Sequence, residues 1–182
     1  METKHSLKEW IATTRYWSFP VSTMPLAVTF AYLFGGGVLP AGGRPWLILA
    51  LSLLGVVLLH SAGNLLRDYY DYRSGVDNKD AFAVSNLVFG KFQPAEYLRL
   101  SIALFILGVI LGLGIAALSG TGVLIVGIVG VALTALYSFF KFHALGDLDI
   151  FVIFGILTVI GVSYALTGHW CWDALVFVVF PI

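Results

Sequence analysis

The chain has 182 residues, 59% of them hydrophobic and 11% charged, with zero formal net charge and a mean hydropathy of +0.95. A soluble domain carries about 25% charged residues to cover its surface, so this composition excludes an ordinary water-soluble fold. Zero net charge gives no basis for a nucleic-acid partner, and a single cysteine, Cys171, excludes an internal disulfide framework.

Residues 1–15 are polar, carry both signs of charge and lack the short apolar run and small-residue cleavage site of a secretory leader. A helix crossing a bilayer needs about 20 mostly apolar residues. Five such stretches follow, at residues 16–38, 45–66, 100–118, 122–140 and 150–166, and a sixth begins at Ala174. The fold class is therefore all-α: a single polytopic membrane-embedded helix bundle over residues 1–182, with five full spans and the start of a sixth. Glycines and prolines punctuate it. Gly35, Gly36, Gly37 and Pro40 end the first span, Pro45 and Pro94 suit helix starts, and Gly75 ends the second helix. Gly108, Gly112, Gly114, Gly127 and Gly130 are expected to allow close helix packing.

Nine of the ten basic residues fall in segments that this span count puts on one side of the membrane, leaving only Arg44 opposite. Positive charge marks the cytoplasmic side, so the amino terminus and the long second loop are expected in the cytoplasm, and the membrane is expected to be the cell's inner (cytoplasmic) membrane.

The same side holds most of the acids. Asn64, Asp68 and Asp71 are spaced i, i+4, i+7 and share one stripe if the second helix continues past Leu66. A carboxylate at mid-bilayer costs about 2.5–3.5 kcal/mol, less near the interface. A magnesium ion would relieve that cost and the repulsion between two carboxylates, since it takes oxygen ligands and bridges carboxylates to phosphates. Beyond Gly75 the chain can turn Asp77 and Asp80 back towards them. The bland alternative is a solvated helix end with mixed charge, but the stripe starts inside an otherwise uncharged span. His60 lies on the same stripe and is expected to be a buried histidine with one hydrogen bond rather than a ligand.

Asp68-x-x-Asp71 followed by Gly75-x-Asp77 resembles the first aspartate-rich motif of the UbiA superfamily of intramembrane prenyltransferases, most closely its 1,4-dihydroxy-2-naphthoate polyprenyltransferase (MenA-like) branch. Three further stretches are similar: Arg15 to Ser22 with Pro25 at the entry to the first span, Tyr137-x-x-x-Lys141 at the end of the fourth, and Leu145-Gly146-Asp147 leading into the fifth. The resemblance implies magnesium-dependent transfer of a polyprenyl group from an isoprenyl diphosphate to an aromatic acceptor, 1,4-dihydroxy-2-naphthoate of menaquinone synthesis in the first instance and 4-hydroxybenzoate as the alternative. It implies catalytic roles for Asp68 and Asp71. It also implies a magnesium shell of Asn64, Asp68, Asp71 and Asp77, and diphosphate contacts from Asn64, Arg67, Tyr137, Lys141 and Lys91. Tyr69, Tyr70, Tyr72 and Tyr137 are candidates to face an allylic cation. Arg67 departs from the family's pattern, standing where Asn-Asp-x-x-Asp has asparagine. So does the end of the chain, because the family has about nine spans and a second aspartate-rich motif after the sixth. The chain is therefore expected to be the amino-terminal portion of such an enzyme, incomplete at the carboxyl end and possessing half of a two-sided metal site. The rival readings are a membrane transporter, a CDP-alcohol phosphotransferase (whose Asp-Gly-x-x-Ala-Arg start is missing) and a non-catalytic bundle.

Overall fold

A computed structural model describes residues 5–78 and 85–179. Among these residues there is no β-strand. The chain opens with a short helix, α1 (Leu7–Thr13), and a single 3-10 turn (Tyr16–Ser18). Long helices α2 (Pro20–Gly35), α3 (Arg44–Arg73), α4 (Pro94–Ser119) and α5 (Gly122–Phe142) follow. The next crossing is composite. A turn of helix, α6 (Gly146–Ile150), runs into a π-helical segment (Phe151–Leu157) and then α7 (Thr158–Thr167), and α8 (Trp172–Val179) comes last. Five stretches are long and apolar enough to cross a membrane: Tyr16–Gly35, Arg44–Arg73, Pro94–Ser119, Gly122–Phe142 and Gly146–Thr167. These are the five expected spans. The sixth is represented by α8, and Lys79, Asp80 and the terminal Pro181-Ile182 lie outside the described residues.

Two boundaries shape the site. First, α3 runs unbroken past Leu66 through Arg73 and is closed as expected at Gly75, which takes the left-handed conformation (φ 76°). The amide of Asp77 then donates to the Asp71 carbonyl at 3.1 Å, so the chain turns back as Gly75 implied. Second, the polar start forms α1. Ser6 and Glu9 make a reciprocal capping box, and the Ser6 backbone amide holds the Glu9 carboxyl below the usual glutamate range.

The helices pack around two apolar clusters at opposite ends of α3. Leu26, Phe30, Leu33, Ile48 and Ile115 join Val162 and Leu166 at one end; Leu65, Leu87, Phe92 and Tyr97 form the other. Outward positions are equally apolar. On α5, Ile125, Ile128, Leu136 and Phe139 are all at least half exposed, which is stable only with lipid as solvent. Since lipid gives helices no hydrophobic reason to associate, close approach and hydrogen bonds carry the packing. Ser101 Oγ donates to the Ala62 carbonyl at 2.8 Å, joining α4 to α3. Gly63 and Gly108 let α5 and α4 press onto α3, since a Cβ at either would meet Thr134 at 2.8 Å or Leu59 at 2.7 Å. The packing role expected for Gly112, Gly114, Gly127 and Gly130 is corrected here. A Cβ at any of them would touch nothing within 4 Å, and Gly112, Gly127 and Gly130 instead border a cavity. At the end of the bundle away from the acids, Arg44 donates to the Leu118 carbonyl at 2.8 Å, closing the carboxyl end of α4.

Candidate active site

Because α3 is one unbroken helix from Arg44 to Arg73, its stripe His60, Asn64, Asp68 and Asp71 points into the bundle. Asp68 and Asp71 are each 3% exposed. Burying two carboxylates costs several kcal/mol each unless cations and hydrogen bonds surround them. Three basic side chains do so. Arg15 grips Asp68 with both arms, Nε to Oδ2 at 3.3 Å and Nη2 to Oδ1 at 3.0 Å. Arg67 Nη2 reaches Asp68 Oδ1 at 2.8 Å, while its Nε stands 3.9 Å from Asp71 Oδ2. Lys141, arriving from the end of α5, donates to Asp71 Oδ2 at 2.6 Å. These contacts place the amino-terminal turn, the ends of α3 and α5, and the charged residues between them at one end of the bundle.

Asp71 Oδ1 is different. It is buried and has no hydrogen-bond partner among the described residues. A buried carboxylate oxygen without a donor is an acceptor waiting for a cation or a donor. Asn64 donates from Nδ2 to the Thr14 carbonyl (3.0 Å) and to Ser18 Oγ (3.3 Å). The described residues contain no group of three His, Cys, Asp or Glu side chains that could hold a metal alone.

Beside these groups lies a cavity of about 220 Å³ bordered by Arg15, Asn64, Arg67, Tyr137, His60 and Phe154. A second cavity of about 160 Å³ adjoins it between α3, α4, α5 and α7, bordered by Gly55, Gly112, Gly127, Gly130 and aliphatic side chains. The two share His60, Thr134, Ile153 and Phe154. Ile153 and Phe154 belong to the π-helical segment, an irregularity that often marks functional sites. The arrangement sets a chamber bordered by two arginines beside an apolar one, suited to a molecule with an anionic head and a hydrocarbon tail.

The sequence-derived residues divide clearly. Asn64, Arg67, Asp68, Asp71, Tyr137 and Lys141 come together here. Asp77 does not join the two buried carboxylates by its side chain: its Oδ2 accepts from the Ser85 amide at 3.3 Å and organises the loop. Lys91 is exposed and lies in the field of Glu9, away from the carboxylate pair. Tyr70 and Tyr72 face outward, and Tyr69 carries Arg73 over its ring at 5.8 Å, which leaves Tyr137 as the tyrosine bordering the cavity. Arg15 is the functional residue that sequence reasoning left out of the site. Its only signal was its place just before the aromatic entry to the first span.

The sequence profile of the UbiA prenyltransferase family matches residues 16–182. The chain belongs to this family. Its UbiA-type relatives include "UbiA prenyltransferase domain-containing protein 1" from Xenopus tropicalis, 28% identical over 91% of this chain and 48% of the relative. The proteins of that name from Gallus gallus (30% identical, 88% of this chain, 48% of the relative) and Homo sapiens (31%, 86% and 46%) are similar. The chain thus spans about half the length of the curated relatives it matches. All three carry the name of the family domain, with no acceptor in it, and all three come from eukaryotes.

Proposed function

We propose that this chain forms the diphosphate-binding half of a membrane prenyltransferase that moves a polyprenyl group from an isoprenyl diphosphate to an aromatic acceptor. The observation that carries the reading is the pairing of the two cavities: a head chamber bordered by Arg15, Arg67, Asn64 and Tyr137, next to an apolar chamber inside the bundle that shares part of its wall. Family membership supplies the reaction class.

The donor set fits magnesium. Asp71 Oδ1 is an orphaned buried oxygen, Asn64 engages its amide nitrogen and keeps its amide oxygen available, and magnesium commonly takes one or two carboxylates with substrate phosphates. Asn64 and Asp71 would hold the ion, joined by Asp68 when its guanidinium partners turn to phosphate. Magnesium, when bound, neutralises charge on the departing diphosphate.

The chain's own residues do the rest. Arg15 and Arg67 exchange Asp68 for phosphate oxygens, a switch of bidentate partner for which guanidinium geometry is suited. Lys141 holds the Asp71 side chain in an ion pair, and Tyr137 offers a hydroxyl to the phosphate oxygens. The apolar walls keep water from the allylic cation left by diphosphate departure, and the Phe154 ring, which borders both cavities, offers an aromatic face to it, worth about 0.5–2 kcal/mol.

The preferred acceptor is 1,4-dihydroxy-2-naphthoate, on the strength of the Gly75-x-Asp77 and Leu145-Gly146-Asp147 segments. The acidic end faces the cytoplasm from the inner membrane, on the strength of the basic residues gathered there. The test is turnover in membranes supplied with magnesium, an isoprenyl diphosphate and each acceptor in turn. Prenylated naphthoate supports the full reading; prenylated 4-hydroxybenzoate alone keeps the reaction and changes the acceptor.

A further inference from the structure

His60 takes no part in the steps above, yet it borders both cavities and has each ring nitrogen engaged. Nε2 stands 3.1 Å from Ser18 Oγ and Nδ1 stands 2.8 Å from Ser22 Oγ. Ser18 Oγ donates its one proton to the Arg15 carbonyl at 2.8 Å and accepts from Asn64 Nδ2 at 3.3 Å. With that proton committed, a neutral His60 donates from Nε2 to Ser18 and accepts at Nδ1, so Ser22, whose hydroxyl also lies 3.1 Å from the Phe19 carbonyl, turns its one proton to the nearer Nδ1. Ser18 Oγ then has one proton given and two lone pairs filled, its full capacity. The Phe154 and Phe19 rings, with centroids 4.9 and 5.5 Å from the imidazole, hold its plane.

Two groups of the head chamber hang on Ser18. One is the Asn64 amide. The Thr14 carbonyl can only accept, so it is the amide nitrogen that faces Thr14 and Ser18, and Oδ1 is the atom left over for a ligand. The other is the backbone of Arg15, which stands at φ 56°, ψ 49°. A non-glycine residue stays in that left-handed region only where its surroundings fix it.

We infer that His60 is a positioning residue for the diphosphate end of the site: by orienting Ser18 it presents the Asn64 amide oxygen and steadies the left-handed turn from which Arg15 reaches Asp68. This rests on the prenyl-transfer reading and adds a residue that acts through others, touching neither phosphate nor metal. It also explains why the histidine lies on the same stripe as Asn64, Asp68 and Asp71.

The test uses the full protein in lipid nanodiscs, with inorganic pyrophosphate and magnesium as the probe and calorimetric titration as the readout. The variants are His60→Gln, His60→Asn, Ser18→Ala and the double Ser18→Ala/His60→Asn. A glutamine amide nitrogen occupies the place of Nε2 and keeps the bond to Ser18; an asparagine reaches only the place of Nδ1 and keeps Ser22. The expected Kd for pyrophosphate stays within about threefold in His60→Gln and rises about tenfold in His60→Asn and Ser18→Ala, the worth of one hydrogen bond. The double variant binds no more weakly than Ser18→Ala, because both changes cut the same link. Equal weakening by His60→Gln and His60→Asn overturns the inference, as does additivity in the double variant. Unaltered affinity in every variant, with the parent protein binding normally, overturns the role of His60 alone. Failure of the parent protein to bind pyrophosphate overturns the prenyl-transfer reading together with it.

Discussion

Arg15 and Asp68, 53 residues apart in the chain, form a two-armed ion pair, Nε to Oδ2 at 3.3 Å and Nη2 to Oδ1 at 3.0 Å, at the buried end of α3. The pair joins the turn before the first span to the aspartate-rich stripe. Replacement by lysine should fail, because one ammonium cannot span both oxygens. Arg15→Lys and Arg15→Ala are each expected to raise the KM for isoprenyl diphosphate at least tenfold. Arg15→Gly separates side chain from backbone: glycine accepts φ 56° without strain, so thermal stability is expected to hold better than in Arg15→Ala while the KM defect is the same. Steady-state kinetics and thermal unfolding in detergent check both statements.

Among the described residues Lys141 is the one cation hydrogen-bonded to Asp71 (2.6 Å), and the Asp71 carboxylate is almost fully buried. Lys141→Met leaves a buried charge facing only the distant arm of Arg67. The expected loss is about 2 kcal/mol, below the 3–5 kcal/mol of a fully enclosed pair because the lysine is a third exposed. Adding Asp71→Asn removes the stranded charge, so the double variant should recover stability and remain inactive. A double-mutant cycle by thermal unfolding reads the coupling.

Two glycines should part company. A Cβ on Gly63 would meet Thr134 Cγ2 at 2.8 Å, so Gly63→Ala pushes α3 from α5 and is expected to cost about 1–3 kcal/mol. A Cβ on Gly127 meets nothing within 4 Å and intrudes on the apolar cavity. Gly127→Leu is therefore expected to leave stability nearly unchanged and to shift product towards shorter prenyl chains, measured by mass spectrometry of products from mixed isoprenyl diphosphates.

The spans, their number and the grouping of basic residues at one end were legible from composition, because an apolar run of about 20 residues has few fates besides a crossing. The stripe of Asn64, Asp68 and Asp71 was legible from helical spacing, and Gly75 marked where the helix stops. What lay beyond the sequence was the company those residues keep. The reach of Arg15 depends on a left-handed turn at a non-glycine residue, which local propensity disfavours. Asp77 and Lys91 were grouped with the site by the family resemblance, whereas the loop turns one to the Ser85 amide and leaves the other exposed. The π-helical segment, which brings Ile153 and Phe154 to the wall shared by the two cavities, has no distinguishing sequence pattern. The helix-spaced glycines could be read equally as contacts or as cavity lining, and the bundle uses Gly108 for the first and Gly112, Gly127 and Gly130 for the second.

The most direct test of the central claim is prenylated product formed in membranes carrying Asp71→Asn, supplied with magnesium, an isoprenyl diphosphate and 1,4-dihydroxy-2-naphthoate. Asparagine keeps the shape and removes the charge that gives the orphaned oxygen its hold on a cation. The expected result is robust product from the parent protein, abolished by chelation of magnesium, and a fall of at least a hundredfold in Asp71→Asn. Near-normal product from Asp71→Asn would contradict the assignment of this carboxylate to the diphosphate site.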